Sequence, residues 1–323
     1  MRSLRKLRHT GILITTFRRP KGLLRCLKSI VDQRGQYGSF EIHIIDNDCD
    51  PVVEGMVIDF KQETRSQLYY HKEPKRGVAS ARNGALAVVS DTMDYVAFID
   101  DDEIASPFWL ESMLTTAEQF SASIVQGPVE PQFEDPVPGW FRNSRITALG
   151  PFREGEELRF GFSGNVLLSR SLIQESGLRF DLRFDKSGGE DQHYFMSLMK
   201  NGHRIIASRD AIVFETIPRS RMLFKEYVKR RFRIGATLTL SWRLLRTDKL
   251  VAPYRVLIGS GHAISGFISC FSPWCWRFDL LALSIGRVAY GIGQIAGAGG
   301  FVGSSYTTIH QSRLDRAGEP NHG

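Results

Sequence analysis

Two apolar runs that break off into acids dominate the first hundred residues: residues 41–46 (EIHIID) and residues 95–103 (YVAFIDDDE). A strand can bury its apolar part only if neighbours cover it, so the polar end has to lie at the edge of a sheet. Residues 12–14 (ILI), closed by Thr15 and Thr16, form an earlier run of this kind, and residues 68–71 read as a fourth strand. Helical spacings lie between and after them, at Leu23, Leu24, Leu27, Ile30 and Val31, over residues 78–88 and over residues 107–120. Such alternation predicts an α/β fold, an open and mainly parallel sheet flanked by helices. Ligands bind such sheets beyond the carboxyl ends of the strands, where Thr15, Thr16, Asp46, Asp100, Asp101 and Asp102 fall.

After residue 125 the rhythm changes to a Pro-rich stretch, GPVEPQFEDPVPGW, followed by short strands expected at residues 165–169, 204–207 and 211–214 and a helix at 191–199. A length of 323 residues fits two domains or one large domain with an appendage. Hydrophobic residues at 42% and charged residues at 24% exclude wholesale disorder and a polytopic membrane protein. The four cysteines show no metal-ligand spacing, and the N-terminal apolar run is too short for a signal-peptide core, so a reduced cytosolic setting is expected.

The formal charge of +7 is unevenly spread. Residues 219–255 hold eleven cations and two acids, a net of +9 that leaves the remainder slightly acidic. The KRRFR run at 229–233 reads as a solvated basic helix or as a grip for a diphosphate or anionic headgroups. No RNA-recognition, zinc-finger or basic-zipper signature supports nucleic acid as a partner.

Three segments could carry chemistry. Asp100-Asp101-Asp102-Glu103 gathers carboxylates that repel one another and so favours a cation such as Mg²⁺ or Mn²⁺, which takes one or two carboxylates plus substrate phosphates. The competing reading is an acidic loop before the helix near Pro107. KRGVASARN at 75–83 puts cations and a glycine at a helix start, where backbone amides favour phosphate and Arg82 can fork onto its oxygens, or else is a basic surface turn. GGED at 188–191 delivers Glu190 and Asp191 to the first turn of a helix, as a cap or as a general base.

Residues 256–303 carry only three formal charges, Arg277, Asp279 and Arg287. Their two apolar blocks, 256–271 and 280–295, fall short of clean spans, and Trp274, Trp276 and Tyr290 suit an interface. A monotopic membrane hairpin is preferred to a buried helical pair or an oligomer contact.

TTFRRP at 15–20, IIDND at 44–48, RGVASARN at 76–83, FIDDDE at 98–103, GGED at 188–191 and KRRFRIG at 229–235 together resemble the inverting family-2 glycosyltransferases of GT-A fold, over about residues 8–240. Within that family the set looks most like the bacterial exopolysaccharide glucosyltransferases of the succinoglycan-biosynthesis type. The resemblance implies that Thr15, Arg18 and Asp46 line the nucleoside pocket, with Asp46 reading the uracil edge, that Arg82 approaches the diphosphate, and that Asp100 and Asp101 lie at the donor. It implies Asp102 as metal ligand, Asp191 as catalytic base with Glu190 helping to position substrate, and the segment from Arg230 to Arg233 closing over the donor. Relatives often carry a metal-assisting His where this chain has Phe214, which leaves Glu215 as a substitute ligand.

The implied reaction moves a sugar, glucose by this reading, from a UDP-sugar to a polyprenyl-linked oligosaccharide at the cytoplasmic face of the bacterial inner membrane. The expected layout is a GT-A domain over residues 1–240, a membrane-associating helical extension over 241–306 and a flexible tail over 307–323. A nucleotidyltransferase is the rival enzyme, although TTFRRPKG lacks the glycine density it needs, and a membrane-surface adaptor is the rival without chemistry.

Overall fold

The computed structural model describes residues 8–36, 38–142, 149–246, 248–272 and 277–303. β1 (His9–Thr16), β2 (Ser39–Asp46), β3 (Leu68–Lys72) and β4 (Tyr95–Phe98) pair in parallel in the order β3-β2-β1-β4, connected by α1 (Pro20–Val31), α2 (Pro51–Thr64) and α3 (Val78–Ala87). β1 is apolar without alternation because both its faces are covered: Ile12 and Ile14 enter one core cluster and Leu13 the other, all fully buried. α1 starts at a proline, which has no amide hydrogen to leave unpaired there, and turns Leu23, Cys26, Leu27 and Ile30 to the first cluster.

The chain continues through β5 (Glu103–Ala105), α4 (Trp109–Gln119), β6 (Ile124–Gln126), β7 (Val129–Phe133), α5 (Gly139–Arg142), β8 (Glu157–Leu158), β9 (Val166–Ser169), α6 (Arg170–Ser176), α7 (Glu190–Lys200), β10 (Ile205–Ala207) and β11 (Val213–Ile217). The main sheet has the order β3-β2-β1-β4-β9-β6-β10-β8. It is less parallel than expected, since β9 runs antiparallel to β4 and β6, and β8 antiparallel to β10. A second sheet, β5-β11-β7, grows from the acidic end of β4 and sets Glu215 opposite Glu103.

A buried knot fixes this junction. Asn165, with its backbone in the left-handed region, accepts from Trp109 Nε1 at 2.6 Å and donates to the carbonyls of Pro128 and Ala211. Losing any of these bonds would strand a polar group in a dry interior, which costs more than the bond itself contributes.

Three long helices complete the chain, α8 (Phe224–Leu245), α9 (Val251–Cys270) and α10 (Phe278–Ala298). The expected domain border between residues 240 and 241 falls inside α8, which runs on unbroken. α10 lies between the other two at backbone contact: a Cβ on Gly293 would stand 2.0 Å from the Phe232 carbonyl of α8, and one on Gly291 2.4 Å from the Gly259 carbonyl of α9. The apolar tail is thus a helical pair docked on α8, with α10 inside and α9 outside. Among the described residues only α10 is long and apolar enough to cross a membrane. Trp274, Trp276 and the tail at 307–323 lie outside the described residues.

Candidate active site

The carboxyl ends of β1 and β4 meet at the acidic run, where each acid has a separate partner set. Asp101 accepts from the Thr16 hydroxyl at 2.8 Å and from Arg19 Nη1 at 3.1 Å. Asp102 Oδ2 accepts from Arg19 Nη1 at 2.7 Å and from Arg221 Nη2 at 3.2 Å, and the other arm of Arg221 reaches Glu215 at 2.6 Å. Glu103 turns back to accept the Asp100 amide, which leaves the Asp100 side chain 37% exposed at the mouth.

Burial raises Asp100, Asp101, Glu103 and Glu215 above the usual carboxylate range, and Asp101 reaches about 6. Burial acts on Asp102 in the same sense, but Arg19 and Arg221 outweigh it and hold that acid below its ordinary value. Burial therefore prevails everywhere in the cluster except at Asp102.

Asp100, Asp101, Asp102 and Glu215 form the floor of a cleft of about 890 Å³, a volume ordinary for small-molecule sites. Thr15, Phe17, Asn47 and Arg82 line one side, and Tyr227, Lys229, Arg230 and Arg233 of α8 line the opposite one. Burial lowers Arg230 to about 10, so it stays cationic at neutral pH. Ala289 and Ile292 of α10, with Val302 and Gly303 beyond it, close the wall. Arg230 and Arg233 of the basic run thus belong to a cleft wall, with Lys229 exposed at its rim.

Two expected residues, Asp46 and Arg18, stand elsewhere, and one expected phosphate position is taken. Asp46 is fully buried behind the cleft, its carboxylate accepting the Asp48 and Asp50 amides and the Tyr70 hydroxyl, so it shapes the loop after β2. Arg18 has a left-handed backbone that turns its side chain outward to Asp48 at 2.8 Å, and Arg19 enters the cleft instead. The start of α3 is capped from within: Asp185 accepts the Ser80 amide at 2.8 Å and its hydroxyl at 3.0 Å. Gly77 permits this, because a Cβ there would stand 2.2 Å from that carboxylate and its φ of 148° favours glycine. The phosphate expected at this helix start would meet a resident anion.

Arg82 survives as a cleft residue. It is buried, ion-paired to Glu190 and 3.4 Å from Asp100. Glu190, only 2% exposed, acts on the cleft through Arg82. Asp191, beside it in the first turn of α7, is more open and close enough to Asp100 to raise it.

Arg19, Arg221 and Asn47 were not singled out by spacing, although all stand in or next to the quoted motifs or the basic stretch; Thr16, expected at the mouth, holds Asp101 there. Asn47 is structural, donating to the Glu73 and Lys75 carbonyls and accepting the Gly77 amide.

The model of glycosyl transferase family 2 matches residues 11–177. The succinoglycan biosynthesis protein ExoM of Rhizobium meliloti is 34% identical over 71% of this chain and 74% of its own. The chain belongs to glycosyl transferase family 2. A second relative, the hyaluronan synthase of Pasteurella multocida, is 25% identical over 60% of this chain and 23% of its own length. The fold matches S. aureus TarS 1-349 solved in complex with UDP, at TM-score 0.50 and 14% identity over 91% of this chain and 92% of that one. It also matches S. aureus TarS at TM-score 0.52 and 15% identity, over 89% of this chain and 55% of that one. Membership in the family sets aside the nucleotidyltransferase and the adaptor, and makes the cleft that of a glycosyltransferase.

The donor atoms suit a hard divalent ion. Among the described residues no three His, Cys, Asp or Glu side chains form a ready cage. Asp100 and Asp102 still offer the one or two carboxylates that Mg²⁺ or Mn²⁺ needs when phosphates and water supply the rest.

Proposed function

We propose that the chain is an inverting hexosyltransferase that moves a sugar, glucose in this reading, from a UDP-sugar to a polyprenyl-linked oligosaccharide during exopolysaccharide synthesis. The observation that carries this reading is a cleft in which the acids at the end of β4 face the cations of α8. Relatives that are a succinoglycan biosynthesis protein and a hyaluronan synthase support the product class, and UDP bound to TarS 1-349 supports the donor class.

The diphosphate lies between Arg82 on one wall and Lys229, Arg230 and Arg233 on the other, so charge appearing on the leaving group meets fixed cations in a partly dry site. Thr15 and Phe17 border the space for the nucleoside. Glu190 holds Arg82 in place. Asp191 takes the proton of the attacking acceptor hydroxyl, whose oxygen bonds the anomeric carbon as the bond to the diphosphate oxygen breaks and its electron pair leaves with UDP. Attack opposite the leaving group inverts that carbon, so an α-linked donor gives a β-linked product.

A Mg²⁺ or Mn²⁺ held by Asp102 and Asp100 would neutralise charge on the diphosphate. Activity should vanish under EDTA and return with either ion, with Asp102→Ala failing to respond; full turnover after exhaustive chelation rejects the metal. Asp191→Asn should lower kcat by about 10²–10⁴-fold, the usual worth of a positioned base, while UDP-sugar binding holds. Near-normal turnover of that variant rejects the base.

The membrane face is α9. Tyr254, Leu257, Ile264, Ile268 and Phe271 are all more than half exposed and stand at helical spacing along one side, without a charge among them. Such a stripe suits a helix lying in the interface and supports a reading in which the enzyme works at the membrane surface, on the cytoplasmic face, beside its lipid-linked substrate.

A further inference from the structure

Behind the cleft wall, inside the three-helix layer, two arginines gather around one tyrosine with no acid among the described residues to neutralise them. Arg255 of α9 is 9% exposed, and its Nε and Nη2 have no hydrogen-bond partner. The Tyr290 hydroxyl of α10 is within hydrogen-bonding reach of it. Arg231 of α8 sets its guanidinium 5.0 Å from the centre of the same ring, and its Nε is also buried and unpaired. Among the described residues neither arginine makes an ion pair with a carboxylate. His262, with its ring 5.3 Å from that of Tyr290, spends Nδ1 on Gln294 and adds no negative charge.

A guanidinium buried with free donors is costly, and the cost is removed by an anion that accepts from its fork. Arg255 sits on the inner side of the helix whose outer side is the apolar stripe, so an anion arriving there comes most readily on an amphiphile with its chain along α9. We propose that Arg231, Tyr290 and Arg255 form a second site, separate from the transfer cleft, that binds the phosphate monoester of an anionic lipid. The site rests on the membrane-facing reading of α9 for the source of its phosphate and does not depend on glycosyl transfer.

Thermal unfolding of the full chain tests it with three probes: dihexanoyl phosphatidic acid, dihexanoyl phosphatidylcholine and inorganic phosphate. The wild-type Tm should rise with phosphatidic acid and much less with the other two. Arg255→Met should unfold at a higher temperature than wild type without ligand, because an unpaired buried charge has been replaced by an apolar chain of similar length, and should lose the response. Arg255→Lys, which keeps the charge and loses the fork, should respond weakly and serves if the Met variant does not fold. An undiminished response in the variants, or none in the wild type, overturns the site, and an equal rise with inorganic phosphate overturns its assignment to a lipid. Arg255→Met should leave UDP-sugar turnover with a soluble acceptor unchanged, so a failed site and a failed transferase reading are distinguishable.

Discussion

Asp102 holds the acidic floor together, because it is the one acid there that two guanidinium groups keep ionised. Arg221 bridges it to Glu215, so Arg221→Ala should leave two nearby carboxylates with one counter-charge fewer and lower stability by about 2 kcal/mol, the usual worth of a hydrogen bond to a charged group. Urea denaturation at low salt reads this directly, and an unchanged midpoint contradicts the bridge. The acids themselves were legible in the sequence, because four carboxylates crowded at a strand end repel one another and so call for cations to hold them there. Their partners were less so: which of Arg18 and Arg19 enters the cleft depends on one left-handed residue, and Arg221 lies 119 positions from Asp102, a distance only the fold closes. Asp46, read as lining the nucleoside pocket, and Glu190, read as helping to position substrate, have oxygens held by the loop after β2 and by Arg82, and a motif does not record whether a carboxylate is already engaged in this way.

At the level of elements, β1 to β4 and α1, α3, α4 and α7 were legible from period and strand ends, whereas α2 was not. Only Val53, Val57 and Phe60 of α2 are buried, too sparse a stripe to stand out, although Asp50 capping the helix before Pro51 left a local mark. The antiparallel insertion of β9 had no signature, since strand direction is set by the loop that feeds it.

On β2 and β3 two histidines answer to pH. Burial lowers His43 and His71, whose ring nitrogens lie 3.0 Å apart, while Glu41 opposes the shift at His43 and His9 adds to it. Their folded pKa values fall below 6.5, so the unfolded chain binds more protons there and stability is lost as pH drops below 6.5. His43→Asn should flatten that loss in thermal unfolding between about pH 7 and 5; an identical slope contradicts it. Gly293→Val would drive a side chain into the Phe232 carbonyl and push α10 from α8, costing about 1–3 kcal/mol and weakening UDP-sugar binding through the displaced wall. Unaltered donor affinity would show that the wall forms without α10.

The whole molecule joins a transferase cleft to an apolar outer helix through α8, one of whose sides lines the cleft while another packs on α10. The sequence marked the basic and apolar segments as distinct, but their meeting could not be read from it: the glycines of α10 that allow the contact look like composition until backbones are seen against them. Because α9 turns a charge-free stripe outward, Leu257→Asp with Ile264→Asp should release the protein from liposomes while UDP-sugar turnover with a soluble acceptor holds; unchanged flotation rejects α9 as the membrane face. The central claim is inverting transfer from the cleft. The most direct measurement is the anomeric proton coupling of the product formed from UDP-glucose and a polyprenyl-linked oligosaccharide, beside the same reaction with Asp191→Asn. The account predicts a β-linked product in the wild type and almost none in the variant; an α-linked product, or equal yield from both, contradicts it.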